Sequence, residues 1–362
     1  MKDDSESYFD TQEFKDLLRQ FENMLNSGDS TYFDGMDIAN IVEYYSISNE
    51  SDKSETALRY GLSLHPSDPD ILIAKANSLL SKGNKKAARI VAESIDDTNN
   101  QELLYLKGEI ELSDDNVDFA DIFFTQAVER SDEDPGMIND IIVQYMDSHH
   151  YNHAQQWLDK AHLKSPDSRN FVELQADLYF DTNNTEMAIE SYNKLLDDFP
   201  YDTYYWEQLG RIYFEKEDFP KAKECYEFIE AIDDTNKSAK MMKAECVLQM
   251  EDWTEAKKLF DIILEEDPES PSLLYYCGQC RYELEEYEDA LLYFLKSLHN
   301  LNDTNSEEVF LEMYIVITKL LIKLYRNKEA EQYLYLGLAL EPDNEELKTI
   351  KTELDNQNSQ NK

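Results

Sequence analysis

Two cysteines of this chain, Cys277 and Cys280, are separated by two residues, a spacing that in a loop can hold zinc or exchange thiols. Cys246 precedes Cys280 by thirty-four residues, and Cys225 is the fourth and last cysteine. The pair lies in a segment whose apolar spacing predicts a helix, with Cys277 on the buried face. We therefore interpret these cysteines as small packing residues, and a redox or metal role is the minor alternative.

Three histidines, His149, His150 and His153, lie close together and could offer nitrogen ligands to a transition metal. The repeat described below places them in the turn between two helices. A turn does not hold two ligands in the i, i+4 geometry of a continuous helix, and no neighbouring set of carboxylates completes a site. We expect these histidines to be exposed turn residues.

Short motifs that mark common active sites are absent from the sequence, which has no G-x-S-x-G, no phosphate-binding P-loop and no H-E-x-x-H. Acidic runs such as Glu265, Glu266 and Asp267 could act as acid and base or hold Ca²⁺. In so acidic a chain, a solvated helix end is the better interpretation. The sequence predicts a protein that is not an enzyme and has no cofactor or metal.

Acidic residues dominate the composition, because 77 aspartates and glutamates stand against 34 lysines and arginines. The formal net charge is −43 at pH 7. Nucleic acids and anionic membranes both attract basic side chains, so the charge argues against both as partners. A protein or peptide with basic and apolar residues is the predicted partner.

The first ten residues, MKDDSESYFD, are acidic and do not lead into an apolar core, as a secretory leader would. No segment approaches the roughly 18 apolar residues of a membrane span. Four clustered cysteines are also too few for a disulfide framework in a chain of 362 residues. These features predict a cytoplasmic protein.

The elements that position these residues follow from an internal repeat of about 34 residues. Its clearest copy carries Trp206, Leu209, Gly210, Tyr213, Ala222 and Tyr226. The alanine of the second helix recurs at Ala88, Ala120, Ala154, Ala188, Ala222, Ala256, Ala290 and Ala330, with Ser54 in the first copy. A small residue of the first helix recurs at Ala76, Gly108, Ala176, Gly210, Ala244 and Gly278. A bulky residue of the second helix recurs at Leu58, Phe124, Leu158, Tyr192, Tyr226, Phe260, Phe294 and Leu334. Two antiparallel helices approach closely where side chains are small, so the pattern predicts helix hairpins.

These residues resemble the tetratricopeptide repeat family, and the chain is similar to the long, acidic, all-repeat cytoplasmic proteins of bacteria in that family. The resemblance implies an all-α fold, a right-handed superhelical solenoid of about nine hairpins in which each hairpin covers the apolar face of its neighbour. The scarcity of breakers, 9 glycines and 9 prolines, also favours helices joined by short turns. We place the hairpin starts near Gly35, Pro69, Gln101, Pro135, Arg169, Thr203, Lys237, Pro271 and Leu311.

Three segments are predicted along the chain: an acidic N-terminal segment (1–34), the solenoid (35–342) and a C-terminal segment (343–362). The first contains one amphipathic helix at about residues 9–27, whose apolar stripe is Phe14, Leu17, Leu18, Phe21 and Leu25. The last contains a polar capping helix at about residues 344–355, followed by a disordered tail.

Some positions depart from the repeat. Val42, Ile142 and Thr318 stand where a small residue is expected, and Glu111 and Arg281 replace a first-helix aromatic residue. We expect the affected hairpins to cross at altered angles or to be less stable.

An insertion follows residue 302 and carries a capping box, Thr304, Asn305, Ser306 and Glu307. This motif marks the start of a helix. The first helix of the last hairpin is therefore predicted to start early and to run long.

The family resemblance implies that ligands bind in the concave groove, on the face of each first helix that points away from the second. Here that face presents Glu102, Tyr105, Glu109, Glu173, Asp177, Phe180, Tyr204, Glu207, Arg211, Phe214, Glu245, Tyr275, Gln279, Tyr282 and Glu283. Carboxylates interleaved with aromatics suit a segment that carries Lys or Arg together with apolar anchors. The alternative is that any face of so acidic a protein is acidic, and that aromatics at the groove edge pack between helices.

The leading hypothesis is a scaffold for protein–protein interaction that binds a peptide or protein partner in this acidic, aromatic-lined groove. A chaperone or escort for a basic or partly unfolded client is the alternative, and its binding would weaken steeply with salt. An enzyme accessory or unrecognised hydrolase would need a deep pocket with shifted titrating groups. The net charge of −43 argues against an RNA-binding helical repeat. The partner, the pathway and the oligomeric state stay open.

Overall fold

The computed structural model describes residues 8–27, 31–165, 168–302 and 306–360. Within these ranges all regular structure is helical, with twenty α-helices, one short 3-10 helix and no strand. The fold is all-α and belongs to the helical-repeat solenoid class, as the sequence predicts. None of the described helices is long and apolar enough to cross a membrane.

The N-terminal segment contains a 3-10 turn, Tyr8–Asp10, and helix α1, Gln12–Ser27. Phe14 and Phe21 of α1 are fully buried and pack with the first hairpin. The predicted stripe is wrong at its last position, because Leu25 is 42% exposed and Met24 is buried instead. Met24 lies three residues after Phe21 and Leu25 lies four after it, and the 3.6-residue period of a helix allows either spacing.

Nine hairpins follow in the described chain, each made of a first helix (A helix) and a second helix (B helix). The A helices are α2 (Gly35–Ile47), α4 (Pro69–Ser81), α6 (Gln101–Ser113), α8 (Pro135–Asp147), α10 (Arg169–Asp181), α12 (Thr203–Glu215), α14 (Lys237–Gln249), α16 (Pro271–Glu283) and α18 (Glu307–Lys323). The B helices are α3 (Ser51–Leu64), α5 (Lys85–Glu93), α7 (Val117–Arg130), α9 (Tyr151–Lys164), α11 (Thr185–Asp198), α13 (Phe219–Ile232), α15 (Trp253–Glu266), α17 (Tyr287–Asn300) and α19 (Asn327–Leu340).

Polar side chains fix where the A helices begin. The residue before most of them accepts a hydrogen bond from a backbone N–H of the first turn; these caps are Asp34, Asp68, Asn100, Asp134, Asp202, Asn236 and Ser270. Such caps satisfy N–H groups that have no partner inside the helix. Eight A helices begin at the predicted residue.

The ninth A helix, α18, begins at Glu307, four residues before the predicted hairpin start and in line with the early start inferred from the insertion. Its N-cap is Ser306, whose side chain makes no capping hydrogen bond. Thr304 and Asn305 of the predicted capping box lie outside the described residues.

Close packing inside a hairpin joins a small A-helix residue to the B-helix residue sixteen positions later. A Cβ atom added to Gly108 would lie 2.5 Å from the Phe124 ring, and one added to Gly210 or Gly278 would lie 2.8 Å from Tyr226 or Phe294. These contacts leave no room for a methyl group on the glycine unless the ring moves.

The bulkier A-helix residues that depart from the repeat come with smaller B-helix residues at the same separation. Val42, Ile142 and Thr318 are followed sixteen positions later by leucine: Leu58, Leu158 and Leu334. Val42, Ile142 and Thr318 are all buried, so the hairpins accommodate them. The expected altered crossing and lower stability of these hairpins stay predictions.

The turn between the two helices has one backbone conformation throughout the described hairpins. One residue of each turn has φ between 58° and 76°, in the left-handed region: Asn49, Gly83, Asp115, His149, Asn183, Glu217, Glu251, Glu285 and Tyr325. In the last turn the amide of Tyr325 donates to the carbonyl of Ile322 (3.0 Å) and that of Arg326 donates to the carbonyl of Leu321 (2.8 Å). This is the Schellman end of a helix, which favours glycine at that position. Only Gly83 is a glycine.

The C-terminal helix α20 spans Glu345–Gln360. Leu347, Ile350 and Leu354 are buried and pack with α18 and α19. The predicted end near residue 355 and the disordered stretch after it are therefore wrong as far as Gln360, because the polar residues after Leu354 continue the helix. Residues 361 and 362 are outside the described ranges.

The chain divides into two compact units, Met1–Leu178 (unit 1) and Tyr179–Lys362 (unit 2), with the boundary inside α10. Each unit has its own clusters of buried apolar side chains between helices.

Candidate functional site

In unit 1, the A helices of the first four hairpins line one open cavity of about 840 Å³. α2, α4, α6 and α8 each contribute residues to it. Apolar side chains such as Val42, Ile73 and Leu106 line it together with the amides of Asn40, Asn77 and Gln144. Its size falls in the usual range of ligand-binding clefts.

Negative charge dominates this cavity. Five carboxylates line it: Glu43, Asp70, Glu102, Glu109 and Asp140. No lysine, arginine or histidine is among the described residues that line it. None of the five carboxylates forms an ion pair with a lysine or arginine of the described chain.

Glu109 has the most perturbed carboxyl group of the cavity. Burial first, and then the charges of Asp140 and Glu102, raise the pKa of Glu109 to about 7. Partial burial followed by neighbouring carboxylates also raises the pKa values of Glu43 and Asp140. Ionised carboxylates brought together out of water destabilise one another, so the cavity lining is short of positive charge.

Tyr105 is the aromatic residue of the cavity, which Gln144 also lines. Burial and the charge of Glu109 raise its pKa, so its phenol stays neutral at physiological pH. Its ring packs against Phe124 at a centroid distance of 5.5 Å. Tyr105 is therefore held in place by its own hairpin.

Two cations of the neighbouring helix α5 pair with residues outside the cavity. On α5, Lys85 donates to the carbonyl of Ser113 and lies 3.6 Å from Asp114. Arg89 pairs with Glu111 and, at 2.9 Å, with Asp114. Glu111, which replaces an aromatic residue of the repeat, thus serves as an ion-pair partner of Arg89 outside the cavity.

Three predicted groove residues, Glu102, Tyr105 and Glu109, come together in this cavity. Two more predicted residues of unit 1, Glu173 and Asp177, are partly buried on α10 and do not line it. Glu173 accepts a hydrogen bond from Arg169 at 2.9 Å. The cavity therefore unites only part of the predicted set of unit 1.

In unit 2, several predicted aromatic residues already contact a partner of the same chain. The guanidinium of Arg211 lies 5.2 Å from the Phe180 ring centre, and the ammonium of Lys323 lies 4.9 Å from that of Tyr282. Phe214 packs on Phe219 at 5.3 Å. The cation–π contacts expected from a partner are thus partly made within the chain.

The other predicted residues of unit 2 reach the surface to different extents. Glu207 and Glu283 are exposed, and so is Tyr204, at 41%. Gln279 is half-buried. Burial raises the pKa of Glu245. The hydroxyl of Tyr275 donates to Glu312 at 2.9 Å, which adds a carboxylate to this face.

Glu43, Asp70 and Asp140 are cavity residues that the sequence interpretation missed. Glu43 directly follows the small-residue position of its hairpin, as Glu109 follows Gly108. Extending that register to the first hairpin would have found Glu43. Asp140 occupies a different register position, and no sequence signal marks it.

The cysteines lie inside the hairpins. Cys246, Cys277 and Cys280 are fully buried, Cys225 is 4% exposed, and none is in a disulfide. Burial raises the pKa of each thiol to about 12, so these cysteines are poor nucleophiles.

Arg281, the other unusual A-helix residue, lies next to these cysteines. It donates two hydrogen bonds of 2.9 Å to Asp261 and one to the carbonyl of Cys277, and it lies 4.1 Å from the Tyr293 ring centre. The buried guanidinium is therefore paired and hydrogen-bonded.

Each histidine of the predicted turn has its own contact. His149 hydrogen-bonds with Tyr151, His150 lies 3.2 Å from Asp115, and His153 stacks on Tyr145. His153 lies within α9 and not in the turn, which corrects the sequence interpretation. No group of three or more potential metal ligands occurs among the described residues.

Family models match two overlapping parts of the chain. Residues 173–236 match a tetratricopeptide repeat model, and residues 215–297 match the model of anaphase-promoting complex, cyclosome, subunit 3. The chain contains tetratricopeptide repeats. Repeats of this family generally mediate protein–protein interaction and are generally not catalytic.

Solved tetratricopeptide-repeat structures are similar to the chain at low sequence identity. The C-terminal part of a repeat protein from Cytophaga hutchinsonii is 16% identical, with a TM-score of 0.58 over 67% of this chain and 97% of that one. A repeat protein from Parabacteroides merdae is 16% identical, with a TM-score of 0.45 over 70% and 98%. YrrB, described as having an unusual peptide-binding site, is 17% identical, with a TM-score of 0.44 over 54% and 97%. No curated protein matches the sequence.

Proposed function

We propose that this tetratricopeptide-repeat protein is a non-catalytic scaffold that binds a basic segment of a partner protein in the acidic cavity of unit 1. The observation that carries the proposal is the cavity lining, with five carboxylates, apolar patches and no cation among its described residues. A lysine or arginine side chain flanked by apolar residues would supply the missing charge and cover the apolar lining.

The same cavity does not favour the enzyme alternative. It contains a titrating group with a raised pKa, which a hydrolase would need. However, among the described residues that line it there is no histidine to activate a serine and no cysteine to act as a thiol nucleophile beside Glu109. A cytoplasmic location is part of the proposal, because four cysteines outside disulfides suit a reducing compartment.

The face of unit 2 extends the proposal. Glu207, Glu245 and Glu312 are carboxylates on three A helices of that unit, and Glu312 accepts a hydrogen bond from Tyr275. A second basic segment of the same or another partner would find a similar chemistry there. A role as escort of a basic or partly unfolded client stays an alternative. An escort would bind whole unfolded proteins, whereas the proposed scaffold would bind short peptides.

A panel of short peptides tests the proposal. The panel holds basic–apolar, acidic–apolar and neutral sequences of equal length, and fluorescence anisotropy measures their binding at low and moderate salt. We expect the basic–apolar peptides to bind and to weaken with salt. Equal binding of acidic and basic peptides would contradict the proposal.

Charge-reversal variants locate the site. Glu43→Lys with Glu102→Lys changes two exposed cavity residues and should abolish binding. The matched control, Glu93→Lys with Glu129→Lys, makes the same charge change on the B helices α5 and α7, outside the cavity. Loss of binding only in Glu207→Lys with Glu245→Lys would move the site to unit 2.

A further inference from the structure

The position of Glu109 suggests how binding in the unit 1 cavity is controlled. Glu109 lies at the middle of α6, directly after the tightly packed Gly108, and its side chain is partly buried. Asp140 reaches the same cavity from α8 and Glu43 reaches it from α2. Glu109 therefore faces the like charge of Asp140 on another helix as well as that of Glu102 on its own helix.

No lysine or arginine among the described residues that line the cavity neutralises its five carboxylates. α4 contributes Asp70 to the cavity, and α5 contributes Lys85 and Arg89 outside it, both paired with residues near the end of α6. Lys107 of α6 lines a separate small hollow beside α5. Asp121 of α7 accepts hydrogen bonds from Trp157 and Tyr145. The charge of the cluster can thus be reduced by a proton or by a cation from outside.

We infer that Glu109 holds a proton when the cavity is empty, and that the ammonium or guanidinium group of the partner displaces this proton into solvent on binding. The inference rests on the proposed function, since it requires a cationic side chain as the occupant. The cavity then acts as a pH-sensitive recognition site, which binds weakly in acid and tightly above neutrality.

The expected pH dependence of binding follows from the pKa of Glu109. With the pKa of Glu109 at about 7, the group is mostly protonated at pH 6 and mostly ionised at pH 8. Displacement of one proton weakens binding roughly tenfold between pH 8 and pH 6. Tyr105 stays neutral over this range because its pKa is raised.

Two histidines near the cavity could imitate this effect. His149 and His150 directly follow Ser148, which lies at the cavity edge. A positive charge on either side chain would also weaken the binding of a cation. The experiment must therefore separate Glu109 from these histidines by substitution of the glutamate.

The test uses the full chain and a basic–apolar peptide with one lysine, measured by isothermal titration calorimetry from pH 6 to pH 8 in buffers of different ionisation enthalpy. We expect proton release near pH 7 and about tenfold tighter binding at pH 8 than at pH 6. Glu109→Gln mimics the protonated side chain and should bind weakly, without release of that proton and without pH dependence.

Carboxyl ¹³C NMR of the free protein gives a readout that does not depend on any peptide. The Glu109 signal is assigned by its loss in Glu109→Gln, and its midpoint is expected near neutrality. Asp140→Asn, a change at an exposed residue, should lower that midpoint because it removes the like charge that acts most strongly on Glu109. A Glu109 midpoint in the ordinary glutamate range would overturn the inference.

The outcomes separate the two proposals. Binding that is constant from pH 6 to pH 8, or proton release that persists in Glu109→Gln, would overturn the inference and leave the proposed function intact. Failure of every basic peptide to bind at any pH would overturn both. Tight, pH-dependent binding that becomes flat in the variant supports both.

Discussion

The left-handed residue in the hairpin turns predicts an unusual stabilising substitution, Tyr325→Gly. Tyr325 has φ 59°, and its side chain is 91% exposed. An L-residue in this conformation costs about 1–2 kcal/mol because of its Cβ atom, a cost that glycine does not have. Both backbone hydrogen bonds of the turn remain possible, since they involve only main-chain atoms.

The gain in stability from Tyr325→Gly is reduced because glycine makes the unfolded chain more flexible, which costs about 0.4–1 kcal/mol. Little burial is lost at so exposed a position. The free energy of unfolding of the last hairpin should therefore rise by about 0.5–1 kcal/mol. Gly83 has φ 76°, and a methyl group added to it would meet no heavy atom within 4 Å, so Gly83→Ala should lower stability by a similar amount for conformational reasons alone.

Urea unfolding followed by circular dichroism, with hydrogen exchange of the amides of α18 and α19, measures the effect. Hydrogen exchange is needed because hairpins of a repeat array can open locally. Tyr201→Gly is the matched control: Tyr201 is 81% exposed and is not among the residues with positive φ. The Tyr201→Gly variant should lose about 0.4–1 kcal/mol of unfolding free energy. If Tyr325→Gly and Tyr201→Gly both destabilise the protein, the reasoning from turn conformation is refuted.

Three more predictions follow from packing and charge. Gly108→Ala should destabilise the protein by about 1–3 kcal/mol, because its Cβ would lie 2.5 Å from the Phe124 ring, and Phe124→Leu should relieve part of this cost in a double-mutant cycle measured by urea unfolding. Glu109→Gln should stabilise the protein at pH 8 by about 1–3 kcal/mol and change little at pH 4.5. The sign follows from the pKa of Glu109, which is 4.5 in the unfolded chain and about 7 in the folded protein. Between these pH values the folded protein keeps a proton that the unfolded chain has released, so the stability of the wild type falls as the pH rises from 4.5 to 7. Urea unfolding at pH 4.5 and pH 8 measures the effect, and an equal stabilisation at both pH values would contradict the prediction. Cys277 should resist iodoacetamide in the folded protein and react on unfolding, as mass spectrometry would reveal, whereas rapid labelling of the native protein would contradict its burial.

The helices could be predicted closely because two signals agree along the sequence. The repeat fixes the spacing of the hairpins, and cap residues such as Asp134 and Asn236 fix where their A helices begin. Where a single signal decided, the prediction was weaker. At the end of α1, helical periodicity alone could not choose between Met24 and Leu25.

The candidate site could be predicted only in part. Glu102 and Glu109 share a helix face, so their joint presence in one cavity follows from the repeat register. The cations over Phe180 and Tyr282 did not follow, because the long side chains of Arg211 and Lys323 reach these rings from other A helices. The contact of a flexible side chain with a neighbouring helix depends on packing geometry, which a repeat pattern does not contain.

The pairing of A- and B-helix residues sixteen positions apart limits how freely hairpins could be exchanged by recombination or by design. A spliced hairpin that joins α6 to α9 would set Gly108 opposite Leu158 and leave space unfilled. One that joins α8 to α7 would set Ile142 against Phe124 and overfill the same space. Whole hairpins are therefore the transferable units of this chain, and single helices are not.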